Sequence, residues 1–253
     1  MIARRLRAVR AQAVFNPPAL GERWREWRGG YPADAEHEPH LVAAITWLAR
    51  AQDATPDGGI AWTRVNLGFV SAYLLVRGGE AALVDTGVAG SAEAIEASLG
   101  QVGLGWDAVA HVVLTHHHGD HQGSVGEVLQ RAPGASTYAG TEDVPSIVGA
   151  PSVKAVEDGD DVFGLRIITT PGHTEGSISV LDPIAGVLVA GDALRVDGGK
   201  PGLPGAQFTV DMDEARRSIV KLGGLTFETL LVGHGDPIES GASALVAELG
   251  AGG

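Results

Sequence analysis

Thr115-His116-His117-His118-Gly119-Asp120-His121 is the stretch of sequence that decides the fold and the chemistry of this chain. It follows a short apolar run at residues 110–114, which is typical of a β-strand, and the pattern after it predicts a helix as far as about Arg131. The first and third histidines are two residues apart, so in an extended segment their side chains point the same way. The glycine then turns the chain, which brings the aspartate and the last histidine back toward the same point. One short segment can therefore supply ligands to two adjacent metal ions.

Three further motifs share this character, because each follows directly on an apolar, strand-like run. Ligands at strand ends can converge on one rim of a sheet while the scaffold behind them stays rigid. The chain has no cysteine, so any metal must be held by imidazole and carboxylate groups, which suit zinc and also iron or manganese. The three motifs are Pro171-Gly172-His173-Thr174, Ala190-Gly191-Asp192 and Val232-Gly233-His234-Gly235.

The remaining sequence predicts one α/β catalytic domain at residues 59–253, in which strands and helices alternate without a linker. Residues 1–58 contain several prolines and most of the tryptophans, which predicts an arm with short helices packed on the body. Within the domain, residues 161–169 predict a single strand. Ser91 is the predicted N-cap of a separate helix that begins directly after Ser91. The Gly/Pro-rich residues 196–208 predict a loop beside the metals.

The formal net charge of −13 disfavours nucleic acid as a partner, because phosphate backbones require Lys and Arg. No apolar run approaches the roughly 18–20 residues of a membrane span, so no membrane partner is expected. The basic start of the chain lacks the apolar stretch of a signal peptide, and a cytoplasmic location is therefore expected. The expected partner is a small-molecule substrate. The arm could also cover part of the site or make a contact in a homodimer.

The ordered motifs resemble the signature of the metallo-β-lactamase superfamily, in particular its glyoxalase II-like metallo-hydrolases. The resemblance covers roughly residues 60–250 and implies an αββα four-layer sandwich, in which two mixed β-sheets are flanked by helices. It also implies that Asp85, in the segment Leu83-Val84-Asp85-Thr86-Gly87, lies behind the ligands and orients one of their histidines. A turn former at a strand end is the other role open to Asp85. By the family pattern, His116, His118 and His173 hold the first metal, Asp120, His121 and His234 hold the second, and Asp192 bridges the two.

Two adjacent cations would lower the pKa of a water that bridges them to near neutrality, so that a metal-bridging hydroxide becomes the nucleophile. Asp120, the expected catalytic residue, orients this nucleophile or carries its proton. The sequence therefore predicts a binuclear metal-dependent hydrolase of a small-molecule ester, lactone or thioester, with two divalent ions and Zn²⁺ before Fe or Mn. Two alternatives remain open: a mononuclear iron oxygenase of the persulfide dioxygenase type, and a non-catalytic metal-binding scaffold.

Departures from the patterns of particular relatives bear on the substrate. True β-lactamases of the superfamily have Cys or Ser where this chain has Asp192, which argues against a β-lactam substrate. Quorum-signal lactonases have a tyrosine where this chain has Arg195, and residues 235–253 are too short for the helical domain of glyoxalase II. Arg195 is the residue we single out for substrate binding, because a guanidinium can pair with an anionic group. The predicted walls of the site are residues 141–153 and 196–208.

Overall fold

Two β-sheets and a separate hairpin make up the strands of the computed structural model, which describes residues 58–252. The bounds are β1 Ala61–Asn66, β2 Ser71–Arg77, β3 Glu80–Val84, β4 Val109–Leu114, β5 Ser136–Gly140, β6 Lys154–Val156, β7 Asp161–Val162, β8 Leu165–Thr169, β9 Ile178–Asp182, β10 Val187–Val189, β11 Arg195–Asp197, β12 Lys200–Gly202 and β13 Thr229–Leu231. The first sheet has the order β1-β2-β3-β4-β5-β6, and the second has the order β13-β10-β9-β8-β7. Both sheets are mixed, since antiparallel and parallel pairs occur in each.

The main core lies between the two sheets. Because side chains alternate along a strand, register partners share a face. The partners Tyr73, Val84 and Val113 point from the first sheet into one buried cluster with Ile167 and Val180 of the second. Burial of these apolar side chains between the sheets stabilises the fold.

Within residues 58–252, five α-helices flank the sheets: α1 Ala92–Gln101, α2 Gly119–Gln122, α3 Val125–Arg131, α4 Met212–Gly223 and α5 Ala242–Ala251. The outer face of the second sheet packs on α4 and α5, as Leu188 joins Ile219 and Val246 in a second buried cluster. On the other side, Leu83 of the first sheet and Leu99 of α1 are fully buried. The four-layer αββα sandwich that the resemblance implied is therefore confirmed. None of the helices in residues 58–252 combines the length and the apolar character needed to cross a membrane.

Several predicted elements differ from the structure. Residues 161–169 form a hairpin of β7 and β8 rather than one strand, because Phe163 and Gly164 turn the chain with positive φ. Part of the predicted loop at 196–208 is the hairpin of β11 and β12, which turns at Gly198-Gly199. The helix expected as far as Arg131 is two helices, α2 and α3.

Ser91 occupies the N-cap position of α1, as predicted, but its side chain makes no capping hydrogen bond to the helix. The backbone of Ser91 is already helical, with φ −79° and ψ −6°, and its hydroxyl donates to the carbonyl of Val88. Asp211 does cap α4, since its carboxylate accepts from the backbone N–H groups of Asp213 and Glu214. The predicted arm at residues 1–58 lies, apart from its last residue, outside the described residues.

Candidate metal centre

The histidine-rich segment at residues 115–121 follows the carboxyl end of β4 and continues directly into α2. His118 is extended, with φ −67° and ψ 148°, and its carbonyl accepts from the N–H groups of His121 and Gln122. The segment is thus extended up to His118 and helical from Gly119, as the spacing predicted. His173 follows β8, Asp192 follows β10 and His234 follows β13, so all four motifs meet at one edge of the sandwich.

His116, His118 and His173, here called the first set, bring three imidazole nitrogens together. His118 Nδ1 lies 3.1 Å from His116 Nε2 and 3.0 Å from His173 Nε2. Three nitrogens at this separation aim their lone pairs at a common point, which is unfavourable unless a cation or a proton lies between them. The first set therefore fits one metal ion with three imidazole ligands.

Two threonine hydroxyls fix the tautomers of His116 and His173, two of the three histidines of the first set. Thr115 Oγ1 donates to Asp85 Oδ2 at 2.8 Å, so it can only accept from His116 Nδ1, which lies 3.1 Å away. In the same way Thr209 Oγ1 donates to the carbonyl of Gly205 and accepts from His173 Nδ1 at 3.2 Å. Both histidines consequently present an unprotonated Nε2 to the site, which is the form that binds a metal.

Asp120, His121 and His234, the second set, form another group of converging ligand atoms. Asp120 Oδ2 lies 3.3 Å from His234 Nε2 and 3.9 Å from His121 Nε2. The far nitrogens are also held: His121 Nδ1 donates to Asp85 Oδ2 and His234 Nδ1 donates to the carbonyl of Phe69, each at 2.8 Å. The second set thus directs one carboxylate oxygen and two Nε2 atoms at a second point.

Asp192 lies between the two sets. Its Oδ2 is 3.4 Å from His173 Nε2 and 3.2 Å from His234 Nε2, and its Oδ1 is 3.3 Å from His121 Nε2. Among residues 58–252, the buried atoms His121 Nε2 and Asp192 Oδ1 face each other, but neither makes a well-aligned hydrogen bond. Buried polar atoms without partners are costly, and a cation at this point would satisfy both. The residues present therefore fit two metal ions that share Asp192.

The two sets differ in charge. Burial lowers the pKa of His116 well below its usual range, lowers the pKa of His118, and lowers the pKa of His173 to about 4. Burial also opposes the protonated form of His121, but the carboxylates of Asp85 and Asp192 outweigh it and raise the pKa of His121 to about 10. Hydrogen bonds to Asp120 and Asp192 likewise raise the pKa of His234 to about 10. Without metal, the first set is therefore neutral at pH 7 and the second set carries two protonated imidazoles.

Asp85 lies behind both sets. Its Oδ1 accepts from the backbone N–H of Thr115 at 2.8 Å, while its Oδ2 accepts from Thr115 Oγ1 and His121 Nδ1. The residue has φ 63°, a left-handed conformation that Asp tolerates better than most residues. Asp85 turns the chain at the end of β3, and its carboxylate contacts His121 of the second set.

A family model described as the metallo-beta-lactamase superfamily matches residues 65–234, which contain both sets and Asp192. The chain belongs to the metallo-β-lactamase superfamily. Among the curated relatives, the uncharacterized protein YobT of Bacillus subtilis is 31% identical over 201 residues, which are 68% of this chain and 85% of that protein. A hydroxyacylglutathione hydrolase of Cupriavidus metallidurans is 35% identical over 137 residues, but these are only 48% of this chain and 47% of that enzyme.

Solved structures of metallo-β-lactamase-fold proteins superpose on the chain. A metallo-beta-lactamase family protein from Thermus thermophilus has a TM-score of 0.62 at 26% identity, over 77% of this chain and 79% of that one. The protein TTHA1623, solved in a di-iron-bound form, has a TM-score of 0.56 at 28% identity, over 69% of this chain and 92% of that one. The chain thus belongs to a superfamily of metallo-hydrolases, and it has His/Asp groups that could hold metal.

Arg195 is the residue singled out for substrate binding. It lies in sequence just after Asp192, and within residues 58–252 it makes no hydrogen bond or ion pair to the ligand atoms of either set. It begins β11, is exposed, and makes no ion pair within residues 58–252. The next residue, Val196, donates its N–H to the carbonyl of His234 at 3.0 Å. This hydrogen bond joins the β11–β12 hairpin to the loop that carries His234, so the backbone of Arg195 lies beside that loop.

Sequence reasoning missed several residues that support the site. Thr115 opened the quoted motif but was given no role, and Thr209 lies 36 residues from His173 in the chain with no pattern that links them. The aromatic ring of Phe69 stacks on His234, with 6.1 Å between the ring centroids. A carboxylate at Asp143 was also overlooked. Only for Thr115, which follows a strand and precedes a ligand, did the sequence contain a usable signal.

The absence of a side chain at Gly233 is required by the site. A Cβ there would lie 2.5 Å from His121 Cε1 and closer still to Asp192 Oδ1. We expect Gly233→Ala to displace both groups and to lower hydrolysis by about 100-fold, since small misplacements of a catalytic centre have effects of that size. Gly100→Ala is the matched control, because a Cβ at Gly100 in α1 meets no heavy atom within 4 Å. Similar metal content and activity in the two variants would contradict this expectation.

Proposed function

We propose that this protein is a binuclear metal-dependent hydrolase that cleaves an ester, lactone or thioester bond in a small molecule. The observation that carries the proposal is the position of Asp192 between the two sets, where the buried atoms His121 Nε2 and Asp192 Oδ1 make no well-aligned hydrogen bond within residues 58–252. Each set alone is compatible with one ion, and the shared carboxylate favours two. Two divalent ions are therefore proposed, Zn²⁺ first, with Fe and Mn as alternatives because His and Asp ligands suit all three.

The proposed catalytic residue is Asp120. When bound, the metals would supply an activated water and polarise the carbonyl oxygen of the substrate. The side chains of Asp120 and His234 are 29% and 34% exposed, whereas that of His121 is fully buried, so Asp120 is the carboxylate of the second set and is accessible to water. The hydrogen bond from His234 lowers the pKa of Asp120, which keeps it a carboxylate able to orient water and accept its proton.

Two observations support an ester, lactone or thioester as the proposed substrate: the names of the relatives, and the aspartate at position 192. The hydroxyacylglutathione hydrolase of Cupriavidus metallidurans is a thioester hydrolase by name, but this chain spans less than half of that enzyme. Asp192 argues against β-lactams, as the superfamily resemblance implied. The exposed ring of Phe69 over His234 adds an apolar surface beside the second set. These features favour a small acyl compound and leave the leaving group open.

Metal quantification together with a substrate panel tests the proposal. The purified protein is analysed for Zn, Fe and Mn and then assayed on esters, lactones and thioesters before and after treatment with a chelator. We expect two metal equivalents per chain and hydrolysis that is lost on chelation and restored by Zn²⁺. One iron per chain with oxygen uptake would favour the persulfide dioxygenase type, and two bound metals without hydrolysis of any compound would favour the scaffold.

Arg195 is proposed to bind an anionic group of the substrate. Its exposed guanidinium on the β11–β12 hairpin is free of ion pairs within residues 58–252, so it can form a charge-assisted hydrogen bond to a carboxylate. We expect Arg195→Ala to raise KM about tenfold for a carboxylate-bearing ester and to leave a neutral ester unchanged. Lys200→Ala, which removes a positive charge from β12 of the same hairpin, is the control. Equal losses on both esters would refute this role.

A further inference from the structure

Asp143 is a buried carboxylate close to the metal centre that belongs to neither set. It follows β5 and begins the short 3-10 turn Val144–Ser146, inside one of the predicted walls of the site. The residue is only 1% exposed, and among residues 58–252 its one neighbour at ion-pair distance is the His117 imidazole, whose Nδ1 lies 3.1 Å from Asp143 Oδ2. A buried acidic group in such a place needs hydrogen-bond donors, and the identity of those donors shows what it holds.

The donors come from two loops that each carry part of the first set. Asp143 Oδ2 accepts from the backbone N–H of His117 at 2.9 Å, between His116 and His118. The same oxygen accepts from Thr174 Oγ1 at 2.7 Å, one residue after His173, and Asp143 Oδ1 accepts from Gly176 N at 2.8 Å.

The two loops belong to different sheets, because one follows β4 of the first sheet and the other follows β8 of the second. Convergence of His118 Nδ1 and His173 Nε2 at 3.0 Å therefore depends on how the sheets are placed relative to each other at this edge. Asp143 is the carboxylate that ties the loops together at that point. A Cβ at Gly176 would meet Asp143 Cβ at 2.8 Å, so the second loop also provides room for the carboxylate.

We propose that Asp143 is a positioning residue that locks the two ligand loops together, so that the three nitrogens of the first set converge for metal binding. This inference rests on the proposed metal centre. The carboxylate acts through the backbone of His117 and the hydroxyl of Thr174 and touches no ligand nitrogen of the first set. An amide at this position would replace one accepting oxygen by an NH₂ donor. That donor would then face an N–H or O–H group from which Asp143 now accepts a hydrogen bond.

Asp143→Asn tests the proposal by metal binding rather than by activity. Zn²⁺ affinity is measured by competition with a chromophoric chelator, the absorption spectrum of the Co²⁺-loaded protein is recorded, and thermal unfolding of the metal-free protein is followed by circular dichroism. We expect the affinity of the first set to fall about 10- to 100-fold, as for other groups that orient ligands, and the Co²⁺ spectrum to change.

Asp182→Asn is the matched control. Asp182 is also 1% exposed and accepts from the N–H groups of Ile60, Ile184 and Ala185 and from the Arg77 guanidinium, but it lies at the far end of β9 from the site. Its replacement should lower the unfolding temperature and leave the Zn²⁺ affinity and the Co²⁺ spectrum unchanged. If Asp143→Asn behaves in the same way, Asp143 is only a structural residue and the proposal is wrong.

A second pair of variants covers the case in which Asp143→Asn does not fold. Thr174→Val removes the hydroxyl that donates to Asp143 while keeping the shape of the side chain, and Thr174→Ser keeps the hydroxyl. We expect weakened Zn²⁺ binding in the valine variant and near wild-type binding in the serine variant, and equal affinities in the two would overturn the proposal. Wild-type protein that binds no metal would instead refute the proposed function and this inference with it.

Discussion

Loss of turnover is the expected result of His118→Ala, with kcat/KM reduced by about three orders of magnitude or more. His118 Nδ1 is the atom that both His116 Nε2 and His173 Nε2 approach, so its removal leaves the first set with two nitrogens. Stabilisation by a metal ion amounts to several kcal/mol, and each 1.36 kcal/mol corresponds to a factor of ten in rate. The measurement is kcat/KM on the best substrate of the panel, together with metal content per chain.

The fold of this variant should be largely intact, because His118 follows the end of β4 and is only partly buried. Asp120→Ala should have a similar effect through the second set. His111→Ala is the control, since His111 lies in β4 between the rings of Tyr138 and Phe163 and away from both sets. Unchanged turnover and metal content in His118→Ala, with circular dichroism like that of the wild type, would mean that the site is elsewhere.

Metal affinity should depend on pH in different ways for the two sets. Because the pKa values of His121 and His234 are raised to about 10, the second set must release two protons when it binds a metal at pH 7. We expect its Zn²⁺ affinity to rise by up to about 100-fold per pH unit between pH 7 and 9 and to level off above pH 10. The first set is already neutral at pH 7, since burial lowers the pKa of His173 to about 4, and its affinity should change little above pH 6.5.

Zn²⁺ titrations of the metal-free protein at pH 6.5, 7.5 and 8.5 measure these slopes, and calorimetry in buffers of different ionisation enthalpy counts the released protons. The first equivalent should bind without proton release and the second with release. The stabilisation that protonated His121 and His234 give the metal-free protein is complete below pH 6.5, the value for unfolded chains, and is lost as the pH rises through 10. Identical pH slopes for both equivalents would contradict the assignment of charges.

The fold and the ligand types were open to sequence reasoning because their signals are local. The spacing of His116 and His118 places both side chains on one side of an extended segment, and Gly119 is where α2 begins. The absence of cysteine left imidazole and carboxylate as the only ligand classes. Elements with weak local signals were wrong: the turn at Phe163 lies in an otherwise strand-like run, and the β11–β12 hairpin lies in a run rich in Gly and Pro.

By itself the sequence determined which residue types meet at the site, since each motif follows a strand and strand ends gather at a sheet edge. Only the tertiary structure decided which atoms face each other: Asp192 between His173 and His234, Thr209 on His173, and Asp143 across the two loops. These partners are far apart in the chain. Their distances depend on how two sheets and a hairpin pack, and no local pattern of side chains encodes that packing.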